Sequence, residues 1–177
     1  MIDLDGFNLD GTFKTKELAI GNMDTNVVDL YHFQVGNFDD LTSREKKDVT
    51  WVKNNIHGLY YRDYDGDLPE SRLMEIMSSI CNQAKSERRL IAHKGGSFEI
   101  DLMRKLGFGN LALNIEKLDC PPLEKLLTWY PTFNYLYYFQ CGRHCPIKKR
   151  VKVPHCPRLE VRCFMDYVQL VQSGCKF

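Results

Sequence analysis

The chain has 177 residues, 24 Lys+Arg against 23 Asp+Glu, a net charge of +1 and seven cysteines. At 44% hydrophobic and 27% charged it reads as one globular domain, residues 1–177, large enough for a real core, which excludes disordered, collagen-like and coiled-coil chains. No apolar run approaches the roughly 18–20 residues of a membrane helix, and the opening MIDLDGFNLD has neither the basic nor the apolar region of a signal peptide. An odd cysteine count without a secretory pattern implies a reducing, intracellular location, cytoplasmic or nuclear, and no membrane partner. The near-zero charge supplies no global field to steer the chain onto phosphates, so any ligand has to be argued locally.

Three strand signals come first. Ile2-Asp3-Leu4-Asp5 alternates apolar and acidic residues, which predicts a half-buried strand with Asp3 and Asp5 on one face. A turn at Asn8–Thr12 precedes a second run, Glu17–Gly21, and Asp24–Asn26 precedes a third, Val27–Val35, an order that suggests an antiparallel meander. Thr42 and Ser43 are good caps for a helix that carries Val49 and Val52 on one side. Leu73, Ile76, Met77 and Ile80 form an i, i+3, i+4, i+7 stripe on a helix after Pro69. A short strand at Arg89–Ala92, a helix at Ser97–Leu106 stopped by Gly107, and a strand at Leu111–Ile115 follow. A short helix at Leu123–Trp129 and a last helix from near Pro157 complete the order, with the aromatic run Tyr135–Phe139 ambiguous. Strands followed by alternating helices and strands predict an α/β fold with one mixed five-stranded sheet flanked by helices.

Acidic residues and histidines fall at telling places in that order. Asp3 and Asp5 sit on the first strand, Glu99 opens a helix after the glycine turn of His93-Lys94-Gly95-Gly96-Ser97-Phe98-Glu99, and His155 and Glu160 open the last helix. The arrangement resembles the DEDDh family of three-prime-to-five-prime exonucleases, whose motifs are Asp-x-Glu, a His-Asn-x-x-Phe-Asp-like element and His-x4-Asp. The likeness spans essentially the whole chain, with Asp3-Leu4-Asp5, His93–Glu99 and His155-x4-Glu160 at the matching places and His57-Gly58-Leu59 between them. It implies an RNase H-like fold. It also implies that Asp3, Asp5, Glu99 and Glu160 ligate two Mg²⁺ or Mn²⁺ ions and that His155 takes a proton from the attacking water. The chain departs from the motifs by one methylene at Asp5, Glu99 and Glu160 and keeps all four negative charges.

Thiols and imidazoles crowd the C-terminal third. Cys141-Gly142-Arg143-His144 is a C-x2-H pair and Cys156 follows twelve residues later, three good zinc ligands whose spacing leaves the fourth open among Cys145, His155 and a carboxylate. The alternative is a set of buried core cysteines. The cluster resembles the Glu-Cys-His-Cys zinc site of the Maelstrom domain, a branch of the same exonuclease-like fold. That resemblance implies a structural zinc held by Glu17, Cys141, His144 and Cys156. It further implies RNA binding, a role in small-RNA silencing and, in some members, cleavage of single-stranded RNA. His155 and Cys156 are neighbours whose side chains diverge by about 100° at a helix start, so both centres fit one chain.

Local charge favours a nucleic-acid partner. Lys148, Lys149, Arg150 and Lys152 place four cations in five residues, with smaller groups at Lys85, Arg88 and Arg89 and at Arg104 and Lys105. Tyr60, Tyr61 and Tyr64 are candidates to stack on unpaired bases. The sequence therefore supports an RNA or single-stranded nucleic-acid binding module that is non-catalytic or weakly nucleolytic. An active metal-dependent exonuclease and a non-catalytic protein-interaction scaffold built on the Tyr130–Phe139 aromatics are the alternatives.

Overall fold

Asp10 and Gly11, with φ of 45° and 85°, form the two-residue turn of a tight hairpin. The computed structural model describes residues 1–129, 141–144 and 155–174. Strand β1 (Ile2–Leu9) pairs antiparallel with β2 (Thr12–Asn22), and β2 pairs antiparallel with β3 (Val27–His32). The hairpin is longer than the alternation alone predicts, because Phe7 and Leu9 continue the strand into a small core with Val49 and Leu59. Helix α1 (Ser43–Val52) begins at a Thr42–Glu45 capping box and runs into a π-helical turn, Lys53–His57, closed by Gly58 at φ 74°.

Helix α2 (Ser71–Ser86) leads to β4 (Ile91–His93). Helix α3 (Phe98–Lys105) leads to β5 (Ala112–Asn114), which pairs parallel with β4. Helix α4 (Leu123–Trp129) and helix α5 (Pro157–Gln172) follow, the latter with Pro157 in its first turn. Among the described residues no helix is long and apolar enough to cross a membrane.

The fold is mixed α/β, but its strands are not joined into one five-stranded ladder. They form a three-stranded antiparallel sheet and a two-stranded parallel pair. β1 lies beside β4, with Ile2, Leu4 and Ile91 in one core, yet the Leu4 N–H is taken by the Glu99 carboxylate at 3.3 Å and β4 is only three residues long. One face of the antiparallel sheet buries Ile2, Leu4 and Leu18 against Leu73, Met77 and Met103 of α2 and α3. Met1 and Ala19 pack on the other side with Leu126 of α4 and Leu159, Phe164 and Met165 of α5. The contact of α5 with β2 is close. A Cβ on Gly21 would lie 2.1 Å from Met165 Sδ and 2.6 Å from Val161 Cγ1, so any larger residue there has to displace those side chains of the helix.

Candidate metal centre

The period of a strand brings the acidic residues together. Asp3 and Asp5 share the face of β1 that looks toward α5, and Asp5 stands directly opposite Glu17 on β2, which stands opposite His32 on β3. Like charges opposite one another destabilise a ladder unless something neutralises them. Each acid here has imidazole partners. His155 Nδ1 lies 3.1 Å from Asp5 and 3.0 Å from Glu160, while Glu17 lies 2.9 Å from His32 Nδ1 and 3.0 Å from His144 Nε2. A bulge after Asp5 leaves Lys16 as the extra residue on β2. Its buried ammonium donates to the Arg62 carbonyl at 2.7 Å and to Asp65 at 2.5 Å.

The first part of the site is a cluster of Asp3, Asp5, Glu99 and Glu160 around His155. All four acids are buried. Glu99 arrives through the turn of Gly95 and Gly96, with φ of 64° and 56°, and its Oε1 accepts the Leu4 N–H. Its Oε2 and Asp3 Oδ2 are buried without a hydrogen-bond partner among the described residues. Burial, then the charges of Glu160, Glu99 and Asp5, pushes Asp3 well above the carboxylate range. Burial likewise lifts Glu99 and Glu160 to about 7. At Asp5 burial acts upward, but the charge and hydrogen bond of His155 outweigh it and hold the carboxyl below its usual value. His155 resists charging through its own burial, and the charges of Asp5 and Glu160 nevertheless raise it well above an ordinary histidine. Four acids around one imidazolium repel one another, which favours protons on Asp3, Glu99 and Glu160 when no cation is bound, and two of their oxygens remain unmet. Hard divalent cations take such oxygen donors, so the residues fit Mg²⁺ or Mn²⁺.

The second part gathers Glu17, Cys141, His144 and Cys156. The ligand atoms of Cys141, His144 and Cys156 lie within 4.8 Å of one another, and Glu17 is 3.0 Å from His144 and 3.6 Å from Cys141. Tetrahedral zinc with bonds of about 2.0–2.3 Å spaces its ligands about 3.3–3.8 Å apart, so the set is compatible with zinc. Its own protons stand in for a cation. Hydrogen bonding from Cys141 and the neighbouring His144 holds Cys156 at about 5, against its burial, while the same Cys156 contact and burial raise Cys141. Burial disfavours charge on His144, but Cys156 and Glu17 lift it to about 11. Burial would raise Glu17, and hydrogen bonds from His144 and His32 bring it to about 2.

The ring of His144 is oriented from outside the cluster. Its Nδ1 faces the carbonyl of His57, an acceptor only, so Nδ1 carries the proton and Nε2 turns inward. His57 itself is buried and neutral, donating from Nε2 to the Gly6 carbonyl at 3.0 Å and accepting the Leu59 N–H at Nδ1 at 3.0 Å. The His57-Gly58-Leu59 element is thus an anchor for the bulge and for His144. Asp5, Glu17 and His144 ligand atoms also lie within 4.8 Å of one another, so the two parts are contiguous. They share the Asp5–Glu17 pair and the adjacent residues His155 and Cys156.

All nine acidic, cysteine and histidine site residues expected from sequence fall in these two groups. Lys148, Lys149, Arg150 and Lys152 lie outside the described residues, as do Cys145 and the Tyr130–Phe139 segment. Three other residues take roles that the sequence did not assign. His32 and Lys16 depend on cross-strand register, and His57 acts through its backbone carbonyl. Tyr61 is a core residue at 7% exposure, which corrects the expectation that it stacks on bases. Tyr60 is flanked by Lys53 at 3.5 Å and Arg62 at 4.4 Å, and Tyr64 is 79% exposed with Arg62 4.6 Å from its ring. Arg89 is paired with Asp24 and Glu87, and Arg104 with Asp101, so neither offers an uncompensated charge.

Arg143 donates to the Asp65 carbonyl at 2.6 Å and to Asp67 at 2.9 Å, tying the cysteine-bearing segment to the loop after Tyr61. Comparison of the chain with protein-family models, with curated proteins and with solved structures finds no match.

Proposed function

We propose that the chain binds single-stranded RNA and cleaves its phosphodiester bonds at the carboxylate cluster, with a structural zinc in the adjoining Glu-Cys-His-Cys set. The observation that carries the reading is the pair of buried, partnerless oxygens, Asp3 Oδ2 and Glu99 Oε2, within four clustered acids. Buried acceptors are rarely left unmet, and a site that spends stability on them calls for cations. Asp3, Asp5, Glu99 and Glu160 would hold Mg²⁺ or Mn²⁺. Such ions supply an activated water and charge stabilisation at the leaving oxygen.

The chain's own groups do the rest. A cleft of about 250 Å³ lined by Asn55, Ile56, Pro122, Leu123 and Glu124 opens onto His155 and Glu160. His155, 39% exposed at this opening, stands where it can exchange a proton with water. Cations on the acids would withdraw the negative field that keeps His155 protonated, and so return it toward the range of a general base. The β1–β2–β3 meander, with β4 beside β1 and β5 beside β4, supports an RNase H-like strand order. Zinc would fix the segment holding Cys141 and His144 against β2, and Arg143 would carry that order to the Tyr64 loop.

Incubation of the zinc-loaded protein with Mn²⁺ and end-labelled single-stranded RNA tests the reading. Progressive shortening is expected from the wild type and is lost with Asp3→Ala or His155→Ala. Intact RNA with the wild type, or equal cleavage by the variants, rejects it. One-methylene changes at Asp5, Glu99 and Glu160 favour a second reading, RNA binding without cleavage. Retarded but uncut RNA would establish it.

A further inference from the structure

We infer that His32 is the outer-shell donor of the zinc centre, its ring N–H holding one oxygen of Glu17 so that the other faces the metal. The inference rests on the zinc reading above. Glu17 and His32 are cross-strand partners on β2 and β3, and both are buried, Glu17 completely. The two carboxylate oxygens have different neighbours. Oε2 is 3.0 Å from His144 Nε2, and Oε1 is 2.9 Å from His32 Nδ1 and 3.6 Å from Cys141 Sγ. An ionised carboxylate only accepts, so the hydrogen at the second contact belongs to His32.

Cys141, His144 and Cys156 supply three ligands, and one oxygen of Glu17 closes the tetrahedral site; His32, whose ring also lies within 4.8 Å of Glu17 and Cys141, is bonded at 2.9 Å to the other oxygen. The remaining oxygen is then a fully buried acceptor, and leaving it unmet is expensive. His32 meets it. It also stops Glu17 from rotating toward Asp5, which faces it across the ladder. Metal-site carboxylates are held by outer partners in this way, and losing such a partner typically weakens metal binding about 10–100-fold.

Competition against a chromogenic chelator measures zinc affinity in the full chain, with Co²⁺ spectra reporting the ligand set. His32→Ala is expected to bind zinc 10–100-fold more weakly. His32→Gln, which keeps a side-chain N–H, is expected to recover most of the loss. Both Co²⁺ forms should keep the wild-type band positions, because all four ligands remain. Unchanged affinity in His32→Ala overturns the inference. Shifted Co²⁺ bands also overturn it, since they would make His32 a ligand, as does a metal-free His32→Ala protein that melts early and is not restored by glutamine. A wild type that holds no zinc defeats the zinc reading itself, an outcome distinct from a zinc-binding wild type matched by His32→Ala.

Discussion

Replacing Glu160 by glutamine isolates the repulsion stored in the carboxylate cluster. Burial raises this carboxyl from an ordinary 4.5 to about 7, so below pH 6 it is protonated in the folded chain and nearly isosteric with glutamine. The sign follows from linkage. Between pH 4.5 and 7 the folded state holds a proton that the unfolded state has lost, so this group's contribution falls as pH rises through that window and is fully unfavourable above it. The difference corresponds to roughly 3 kcal/mol, a balance in which burial outweighs the attraction of His155. For a chain of this length that amounts to roughly 6–12 °C in melting temperature. In buffer without added divalent cations, Glu160→Gln should therefore gain on the wild type by up to that amount between pH 5.5 and 8.5. Thermal melts followed by circular dichroism at both pH values measure it. Mn²⁺ should reverse the order at pH 8.5 by stabilising only the wild type. A gap between the two proteins that is constant with pH, or that moves in the variant's disfavour as pH rises, would refute the reasoning.

Other outcomes test other joints of the structure. Cys141→Ser and Cys156→Ser should each lose bound zinc and lower the melting temperature, as read by elemental analysis and thermal melts. Zinc should also leave the wild type as the pH is lowered, because protons compete with the metal for Cys141, Cys156 and His144, and a chelator-free dialysis series would show the release. Gly21→Ala should destabilise by about 1–3 kcal/mol or more, since its methyl meets Met165 and Val161 and pushes away the helix that carries Glu160. Urea denaturation checks that, and an unchanged midpoint would contradict the packing described for α5.

Much of the site was legible because its geometry is local. Two residues apart on a strand means one face, so Asp3 and Asp5 could be paired from sequence, and adjacency at a helix start separates His155 from Cys156. Glu17 was reached only through resemblance, and pairing of β2 sets it 3.0 Å from His144 and 3.6 Å from Cys141. The hidden parts are those that depend on non-local register. His32 is one polar residue at the end of an apolar strand until pairing sets it opposite Glu17. The bulge that buries Lys16, and the π-helical turn that delivers the His57 carbonyl to His144, leave no mark in hydrophobic periodicity. The separate sheets have a similar cause. A side chain, Glu99, takes the backbone N–H that strand patterning assigns to a neighbouring strand. Tyr61 shows the reverse error, an aromatic in a polar loop whose ring is needed by the core around Phe7.

The four acids are proposed to hold divalent cations beside the zinc site. Manganese titration of the zinc-loaded chain, followed by electron paramagnetic resonance, tests it most directly. Saturable binding of two Mn²⁺ is expected for the wild type, with binding lost or severely weakened in Asp3→Asn and zinc content unchanged. Absence of saturable Mn²⁺ binding, or the same binding in Asp3→Asn, would contradict it.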